Sequence, residues 1–441
     1  MSPSIHATLL AAAALAASAF PQDLVPSAAA QEGPVLLRGA TIHTVSGDVI
    51  EGGDLLFEDG VIQAISAKPM DAGEARVFQL DGKHVFPGFV LAASTLGLVE
   101  VDSVDMTIDT SEAGSINPEV YAAVAVNPDS WHLPVTRRNG VLVAGVFPQG
   151  GLVPGRVSTI QLDGWSWEDL ALDRHAGMAI NWPADRSSRF RRWRGGDDGD
   201  SGDRVKRQIA ELDALFDAAA AYVAAKDADP TVDTDLRYEA MRPILSGEDP
   251  VFLSITTRKQ AESALPWCAA RGLRAAVVGG RDALEFADLL VRHDVPVAVT
   301  STHRLPHRRD LSYATTYELP ARLEAAGVRW CLTMGARDSS NARNLCYEAA
   351  AAVPHGLTPA QALRSVTLSA AQFLGVDDRV GSLEKGKHAT LFVTDGDPFE
   401  LGTRIEHAFV QGRKIALTDK QTALDAKYRE KYRQRGTLKR D

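Results

Sequence analysis

Short apolar runs alternate with amphipathic stretches through the middle of the chain, and this alternation limits the possible folds more than any other feature. Six runs between residues 87 and 380 have the length and composition of buried strands: GVLVAGVF, GMAINW, PVFLSIT, LRAAVVGG, VPVAVTS and VRWCLTMG. Helical patterns over 207–226 and 283–291 lie between them. The apolar positions of the first helix recur at spacings of three and four: Ile209, Leu212, Phe216, Ala219 and Val223.

Repeated units of a strand followed by a helix predict a parallel sheet. A span of about 290 residues suits a (β/α)8 TIM-like barrel with insertions. A doubly wound sheet is the alternative, but the sequence contains no glycine-rich dinucleotide fingerprint to support it. We therefore predict an α/β chain with a barrel over 87–380, in which the charged segment 185–207 forms a solvated loop.

Both ends of the chain have a different pattern, in which apolar and polar residues alternate as in half-buried strands. The runs are LLRGATIHTVSG and DLLFEDGVIQAIS near the start, and ATLFVTDGDPFE and HAFVQGRKIAL near the end. Asp59 and Gly60 are typical of a tight hairpin turn. These patterns predict a small β-sandwich domain built from 33–86 and 381–418, followed by a charged helix over 419–441.

The first 30 residues resemble a secretory signal peptide. Residues 7–20 (ATLLAAAALAASAF) are apolar, too few to span a bilayer, and small residues suited to cleavage end at Ala30. Cleavage after Ala19 is an alternative. Only the side chain of His6 provides positive charge before the apolar stretch. The alternative that these first residues have no targeting function therefore also stays open. The prediction is a periplasmic or secreted protein without a membrane span.

Charge and cysteine content exclude two further classes. A net charge of −10 and an isoelectric point near 5.6 argue against a general nucleic-acid binder. Cys268, Cys331 and Cys346 are too few for a disulfide framework, and their spacing fits no zinc motif. We expect them to be small buried residues.

Three segments carry a resemblance to a known family: LRGATIHTVSG with EDGVIQAIS, then DGKHVFPGFVLAASTLGL, and VTLSAAQFLGVDDRVGSLEKGKHATLFVTDGDPF near the end. With these, the chain resembles the amidohydrolase superfamily, and within it the imidazolonepropionase-like members. The resemblance implies a TIM-like barrel with a β-sandwich made from both termini. It also implies hydrolysis of non-peptide C–N bonds in cyclic amides and amidines, by water activated on a divalent metal such as zinc.

The residues at the implied ligand positions depart from that family. The first strand should carry His-x-His but has Ala93 and Thr95. Ser254 or Thr256 replaces the histidine of a later strand, and Gly279 replaces that of the next. The last strand ends at Gly335 where an aspartate is expected, with Asp338 three residues further on. Since such residues cannot replace imidazole as ligands, we predict no metal and no other cofactor.

Other residues give weaker candidates for a site. His303 and His307, with Asp310 nearby, follow a predicted strand, but Pro306 separates them and three arginines of the loop would repel a cation: Arg304, Arg308 and Arg309. We favour an anion-binding or plain surface loop there.

Asp338 is a candidate proton acceptor for a metal-free reaction, although capping the following helix is the simpler role. Gln149 and Asn181, near the ends of two predicted strands, are candidates to line a polar pocket for a neutral ligand.

Two functions follow. The first is a catalytically degenerate barrel, a pseudoenzyme that binds a small molecule or acts as partner of an active amidohydrolase homologue. The second is a hydrolase of C–N bonds that works through a metal-free or relocated site. Because function depends on the site and not on the fold, the first is preferred.

Overall fold

The computed structural model describes residues 25–184, 199–335 and 339–437. Most of the predicted signal peptide, part of the charged segment, Asp338 and the last four residues of the predicted terminal helix lie outside these ranges.

The strands of the described chain are β1 (Val35–His43), β2 (Val49–Glu58), β3 (Val61–Ser66), β4 (Arg76–Gln79), β5 (His84–Pro87), β6 (Phe89–Ser94), β7 (Val141–Val146), β8 (Gly155–Gln161), β9 (Ala171–Ile180), β10 (Val251–Ile255), β11 (Ala275–Gly279), β12 (Val297–Thr300), β13 (Trp330–Thr333), β14 (Leu391–Thr394), β15 (Ile405–Val410) and β16 (Arg413–Lys414).

The α-helices of the described chain are α1 (His132–Arg137), α2 (Trp167–Leu170), α3 (Gly199–Ala228), α4 (Leu236–Glu239), α5 (Arg242–Leu245), α6 (Arg258–Ala270), α7 (Ala287–Arg292), α8 (Thr315–Ala325), α9 (Leu345–Ala352), α10 (Pro359–Ser365), α11 (Leu368–Leu374) and α12 (Lys420–Gln434). Short 3-10 helices occupy Asp105–Thr107, Ala122–Ala125, Ala283–Phe286, Ser339–Asn344 and Val353–His355.

One eight-stranded sheet is built from both ends of the chain, as the sequence predicted. Its order is β16-β15-β14-β5-β1-β2-β3, and β4 pairs with β1. The join between the two ends is the antiparallel pair of β5 and β14, with Phe86 opposite Phe392. Asp59 and Gly60 connect β2 to β3 with φ values of 50° and 79°, which is the backbone of a type I′ hairpin turn.

The second sheet forms the TIM-like barrel that the alternating pattern predicted. Its order is β13-β12-β11-β10-β9-β8-β7-β6. All neighbours are parallel except β8, which runs antiparallel to both β7 and β9. The sequence prediction missed β8. The barrel is closed between its first and last strands by Thr333, whose hydroxyl accepts from Ala93 N at 2.8 Å and donates to Ala93 O at 2.8 Å.

Aromatic side chains fill the interior of the barrel. The ring of Phe252, on β10, lies 5.2 Å from that of Phe147 and 5.3 Å from that of Phe373 on α11. Gly177, on the neighbouring β9, makes room for Phe252, since a Cβ there would lie 2.6 Å from its ring. The helix α11 thus packs against the interior at the N-terminal end of the strands.

The helices match the predicted pattern with two differences. Leu212, Phe216 and Ala219 are buried on α3 as expected. However, α3 already begins at Gly199, so the loop predicted over 185–207 is wrong for its last nine residues, where the chain is helical. The predicted helix over 283–291 is a 3-10 turn followed by α7. Among the described residues, no helix is long and apolar enough to cross a membrane.

Candidate functional site

The end of the first barrel strand is occupied by small side chains that bond to the protein itself. Ala93 is fully buried and is held by Thr333 through its backbone. The hydroxyls of Thr95 and Ser339 share a buried hydrogen bond of 2.8 Å. Ser94 donates to Gly145 O on the neighbouring strand at 2.9 Å. These groups tie β6 to its neighbours and present no imidazole at this strand end.

The ends of β10 and β11 carry hydroxyls and glycines. Ser254 and Thr256 are exposed, and Thr256 bonds through both N and Oγ1 to Gln260 Oε1. Gly279 has φ of 111°, a conformation that strains any other residue. At Gly280 a Cβ would lie 2.5 Å from Val297 Cγ2. A histidine at either glycine would therefore strain the local backbone or packing.

The last strand ends at Thr333, which closes the barrel, and continues through the half-buried Gly335. No carboxylate is available up to that point. Asp338, the nearest acid in the sequence, lies outside the described residues, so its predicted role as a proton acceptor stays a prediction.

The donors at these strand ends do not fit the divalent metal that the resemblance implies. They are alkyl groups, alcohols and glycine backbone, whereas zinc in proteins is held by thiolate, imidazole and carboxylate. Within residues 25–184, 199–335 and 339–437, no group of three or more such side chains could hold a metal ion. The side chains at these strand ends therefore support no reaction step through a metal.

Gln149 and Asn181 come together at the C-terminal end of the barrel, on the loop after β7 and at the end of β9. Asn181 Nδ2 donates to the carbonyls of Gly150 and Gly151 at 3.1 and 3.0 Å. Gln149 Nε2 donates weakly to Phe147 O at 3.3 Å. Their amide donors brace this loop, and their predicted role in binding a neutral ligand stays untested.

His303 and His307, which follow β12, contact two different carboxylates. His303 Nδ1 lies 3.4 Å from Glu348 Oε1, and the exposed ring stands edge-on to Tyr317. His307 Nε2 lies 3.0 Å from Asp282 Oδ1. Asp310 pairs with neither histidine, but lies 3.4 Å from Arg308 Nε. The structure therefore does not bring these three residues together as one ligand set.

The Glu348 carboxylate anchors the loop that carries both histidines. It accepts from the backbone N–H of Thr302 and of His303, and from the hydroxyls of Ser301 and Thr302. Only 3% of Glu348 is exposed. Such a set of bonds compensates the burial of a charged group and fixes the start of the loop.

The surroundings of His307 disfavour its protonation. Burial lowers its pKa most, and the nearby guanidinium groups of Arg281, Arg308 and Arg304 lower it further. The carboxylate of Asp282 opposes this by stabilising the imidazolium. Arg304 and Arg308, which the sequence predicted to repel a cation, thus lie close enough to act on His307. The prediction that no metal binds at this loop stays untested.

The sequence prediction missed Glu348, Arg281 and Asp282. Glu348 could have been noticed as a lone acid within the apolar run LCYEAAAA of α9. Arg281 and Asp282 directly follow Gly279 and Gly280 at a strand end, where barrel proteins place functional side chains. Their meeting with His307 depends on tertiary structure.

Comparison with known proteins finds a family model that matches part of the chain and solved structures that share its fold. The model of the amidohydrolase family matches residues 256–422. An amidohydrolase from Thermotoga maritima MSB8 superposes with a TM-score of 0.77 at 23% identity, covering 87% of this chain and 99% of its own. None of the curated protein sequences compared with the chain matches it.

Two other solved structures share the fold at lower similarity. Molinate hydrolase gives a TM-score of 0.55 at 14% identity, covering 88% of this chain and 95% of its own. Phenylurea hydrolase B gives 0.54 at 14% identity, with 87% and 97% covered. These structural likenesses establish the architecture. The family model matches the part of the chain that contains the last of the three resembling segments.

Proposed function

We propose that this member of the amidohydrolase superfamily is a binding protein built on a degenerate barrel, and not a metal-dependent hydrolase. The observation that carries the proposal is the chemistry of the strand ends. Where the superfamily places metal ligands, this chain has Ala93, Thr95, Ser254 and Gly279. Loss at one strand could be compensated by a neighbour, but loss at independent strands removes the whole donor set.

The packing of the barrel supports the same conclusion. The hydroxyl of Thr95 hydrogen-bonds to that of Ser339. The hydroxyl of Thr333 both accepts from and donates to the backbone of Ala93. The positions that would face a reacting centre therefore serve the closure of the barrel. Phe147 and Phe252 pack against each other in the interior. The residues that remain are those that a barrel needs in order to fold.

A second candidate is a hydrolase of non-peptide C–N bonds that works without the family's metal. Its support is the hydroxyl of Ser254, exposed at a strand end, together with the hydrolase names of the structural neighbours. A nucleophilic serine needs a base within hydrogen-bonding reach. No histidine hydrogen bond to Ser254 exists among the described residues, so this candidate ranks second.

Export and a partner complete the proposal. The apolar leader supports a periplasmic or secreted location, and an active amidohydrolase homologue is the partner class that a degenerate copy would serve. Ser27 Oγ and Ala28 N donate to the buried Asp163 at 3.2 Å. These bonds favour cleavage after Ala19 over cleavage near Ala30, because the latter would remove both donors.

Metal content is the first test. The purified mature protein is dialysed with zinc and manganese, then against metal-free buffer, and analysed by inductively coupled plasma mass spectrometry. We expect well below one equivalent. A stoichiometric metal that is lost in Asp338→Asn or His307→Ala would overturn the proposal and identify a relocated site.

Turnover is the second test, made on a panel of cyclic amides, amidines and substituted ureas. We expect no hydrolysis above the buffer rate. If a rate is found, Ser254→Ala and Thr95→Ala separate the candidates, with Ser312→Ala, on an exposed loop, as matched control. A rate abolished only by Ser254→Ala would establish the hydrolase.

Intact-mass measurement of the exported protein tests the processing site. We expect an N-terminus at or before Val25, so that Ser27 and Ala28 keep their bonds to Asp163. A mature chain that begins after Ala30 would contradict this placement.

A further inference from the structure

A cavity of about 210 Å³ lies at the C-terminal side of the barrel, between the segments that follow β11 and β12 and the helix α8. Its lining includes three basic side chains, Arg281, His307 and Arg322, and two acids, Asp282 and Glu285. The C-terminal ends of barrel strands are where proteins of this architecture bind ligands. None of the strand-end residues that replace the metal ligands lines this cavity.

Both acids of the lining already have basic partners. Asp282 Oδ1 lies 3.0 Å from His307 Nε2 and 3.7 Å from Arg281 Nε. Glu285 Oε1 accepts from Arg308 Nη1 at 2.8 Å. Arg322 makes no ion pair within the described residues. The acids therefore leave basic groups of the cavity without full compensation.

Buried guanidinium nitrogens beside the cavity have no hydrogen-bond acceptor in the described chain. They are Nε of Arg281, and Nε and Nη2 of Arg304. The guanidinium of Arg304 interacts electrostatically with Arg281 and Asp282, which line the cavity, and the Arg304 carbonyl accepts from the hydroxyl of Thr316, another lining residue, at 3.1 Å. Within the described residues, the side chain of Arg304 makes a single hydrogen bond, from Nη1 to Thr300 Oγ1, which is long at 3.4 Å. Buried donors are normally satisfied, so unsatisfied ones require an explanation.

Burial of Arg304 without a carboxylate is unfavourable in the unliganded protein. Burial and the charge of Arg281 both lower its pKa, and Asp282 and Glu348 only partly oppose this. An arginine kept in such surroundings gains more from an incoming anion than a solvated arginine would. The Glu348 anchor holds the preceding loop residues Thr302 and His303 in place, so the donors need little reorganisation.

We propose that this cavity binds the oxyanion group, carboxylate or phosphate, of a small ligand through Arg281 and Arg304. The inference rests on the proposed function, because it names the class of ligand that the proposed binding protein would bind. Guanidinium groups suit the planar or tetrahedral arrangement of oxyanion acceptors. The volume is below that of a typical drug-sized pocket, so it accommodates the anionic end of a ligand.

Two exposed apolar side chains on the same loop could contact the apolar part of such a ligand. Leu305 and Tyr313 are 89% and 78% exposed. They flank His307 in the sequence and therefore lie on the segment that forms one side of the cavity. A ligand with an anionic group and an apolar body matches this combination of features.

Isothermal titration of the purified mature protein tests the inference, with inorganic phosphate and benzoate as separate probes. The two probes distinguish a phosphate from a carboxylate site. We expect saturable binding of at least one of them, weakened by about tenfold or more in Arg304→Gln and in Arg281→Gln, since each removes a charged donor. Arg309→Gln is the matched control, because Arg309 is exposed on the same loop, whereas two guanidinium nitrogens of Arg304 are buried without an acceptor in the described chain.

Thermal melting of each variant without ligand verifies that it is folded. Absence of binding of both probes to the folded wild-type protein would overturn the inference, and so would equal weakening in Arg309→Gln. Metal analysis of the same sample keeps the two proposals apart. A stoichiometric metal contradicts the proposed function and leaves anion binding to be decided by the titration. A metal-free sample that binds neither probe contradicts anion binding and leaves the proposed function standing.

Discussion

The two ends of the barrel differ in how their buried arginines are neutralised. At the N-terminal end, Arg137 lies 2.9 Å from Asp163, and Arg156 lies 2.6 Å from Asp249. Each of these arginines has a carboxylate, although its Nε lacks a bond. At the C-terminal end, Arg304 has no carboxylate within ion-pairing distance among the described residues. Pairs that are complete without a ligand stabilise the fold, whereas an incomplete set points to binding.

The cavities at the two ends show the same contrast. The larger cavity, about 600 Å³, lies at the N-terminal end beside α11. Several of its charged side chains are already paired: Asp173 with Arg379, Asp249 with Arg156, and Arg329 with Asp294. The smaller cavity at the C-terminal end has unpartnered donors beside it. Volume alone would therefore select the N-terminal end, whereas the hydrogen-bonding state of the buried donors selects the C-terminal end.

The largest effect is expected from Asp163→Asn at the N-terminal end. Asp163 is fully buried and faces Arg137 and Arg413, so the substitution leaves buried positive charge uncompensated. We expect the free energy of unfolding to fall by about 3–5 kcal/mol, measured by urea denaturation. Asp294→Asn is the control, since its pair with Arg329 is exposed and its loss should be within error. If Asp163→Asn and Asp294→Asn lowered the free energy of unfolding equally, the buried ion pairs of Asp163 would stabilise the fold no more than an exposed pair does.

An intermediate effect is expected from Glu348→Gln at the C-terminal end. One carboxylate oxygen becomes an amide donor that faces the N–H groups of Thr302 and His303. We expect a loss of about 1–3 kcal/mol, together with faster hydrogen exchange over residues 301–310. An unchanged exchange rate there would show that Glu348 does not hold the loop that carries Arg304.

The smallest effect on stability is expected from Arg304→Met. Two of its nitrogens have no acceptor, so an apolar chain of similar length should change the free energy of unfolding by less than about 1 kcal/mol, or raise it. Arg156→Met at the other end should cost clearly more, because it leaves Asp249 without its partner. Denaturation of both variants in anion-free buffer makes this comparison, and a large loss in Arg304→Met would place Arg304 among the structural arginines.

Much of the architecture could be predicted from the sequence, because most strands and helices follow local patterns of apolar and polar residues. The hairpin at Asp59 and Gly60 requires only residues that tolerate positive φ, and α3 requires apolar residues at helical spacing. That Ala93 and Gly279, and not histidines, stand at strand ends could also be recognised from the sequence, since strand ends are identifiable along the chain.

The arrangement of charges could not be predicted, because it depends on residues far apart in the sequence. Glu348 bonds to a loop that begins at Ser301, Thr316 bonds to the carbonyl of Arg304, and the charge of Arg281 acts on the Arg304 side chain. The reversed strand β8 was missed because a short run between β7 and β9 can pair in either direction, and only the packed sheet determines which. The true beginning of α3 was missed because its first residues lack an apolar stripe.

The pairing of β5 with β14 has a consequence for how the molecule is assembled. The N-terminal strands of the composite sheet, β1 to β5, are synthesised first. The sheet can be completed only after β14, which lies near the C-terminus, has been synthesised. Non-local pairing of this kind slows folding. The pairing also joins the two ends of the chain by hydrogen bonds. After a single break in a barrel loop, we therefore expect the two fragments to remain associated through the sheet.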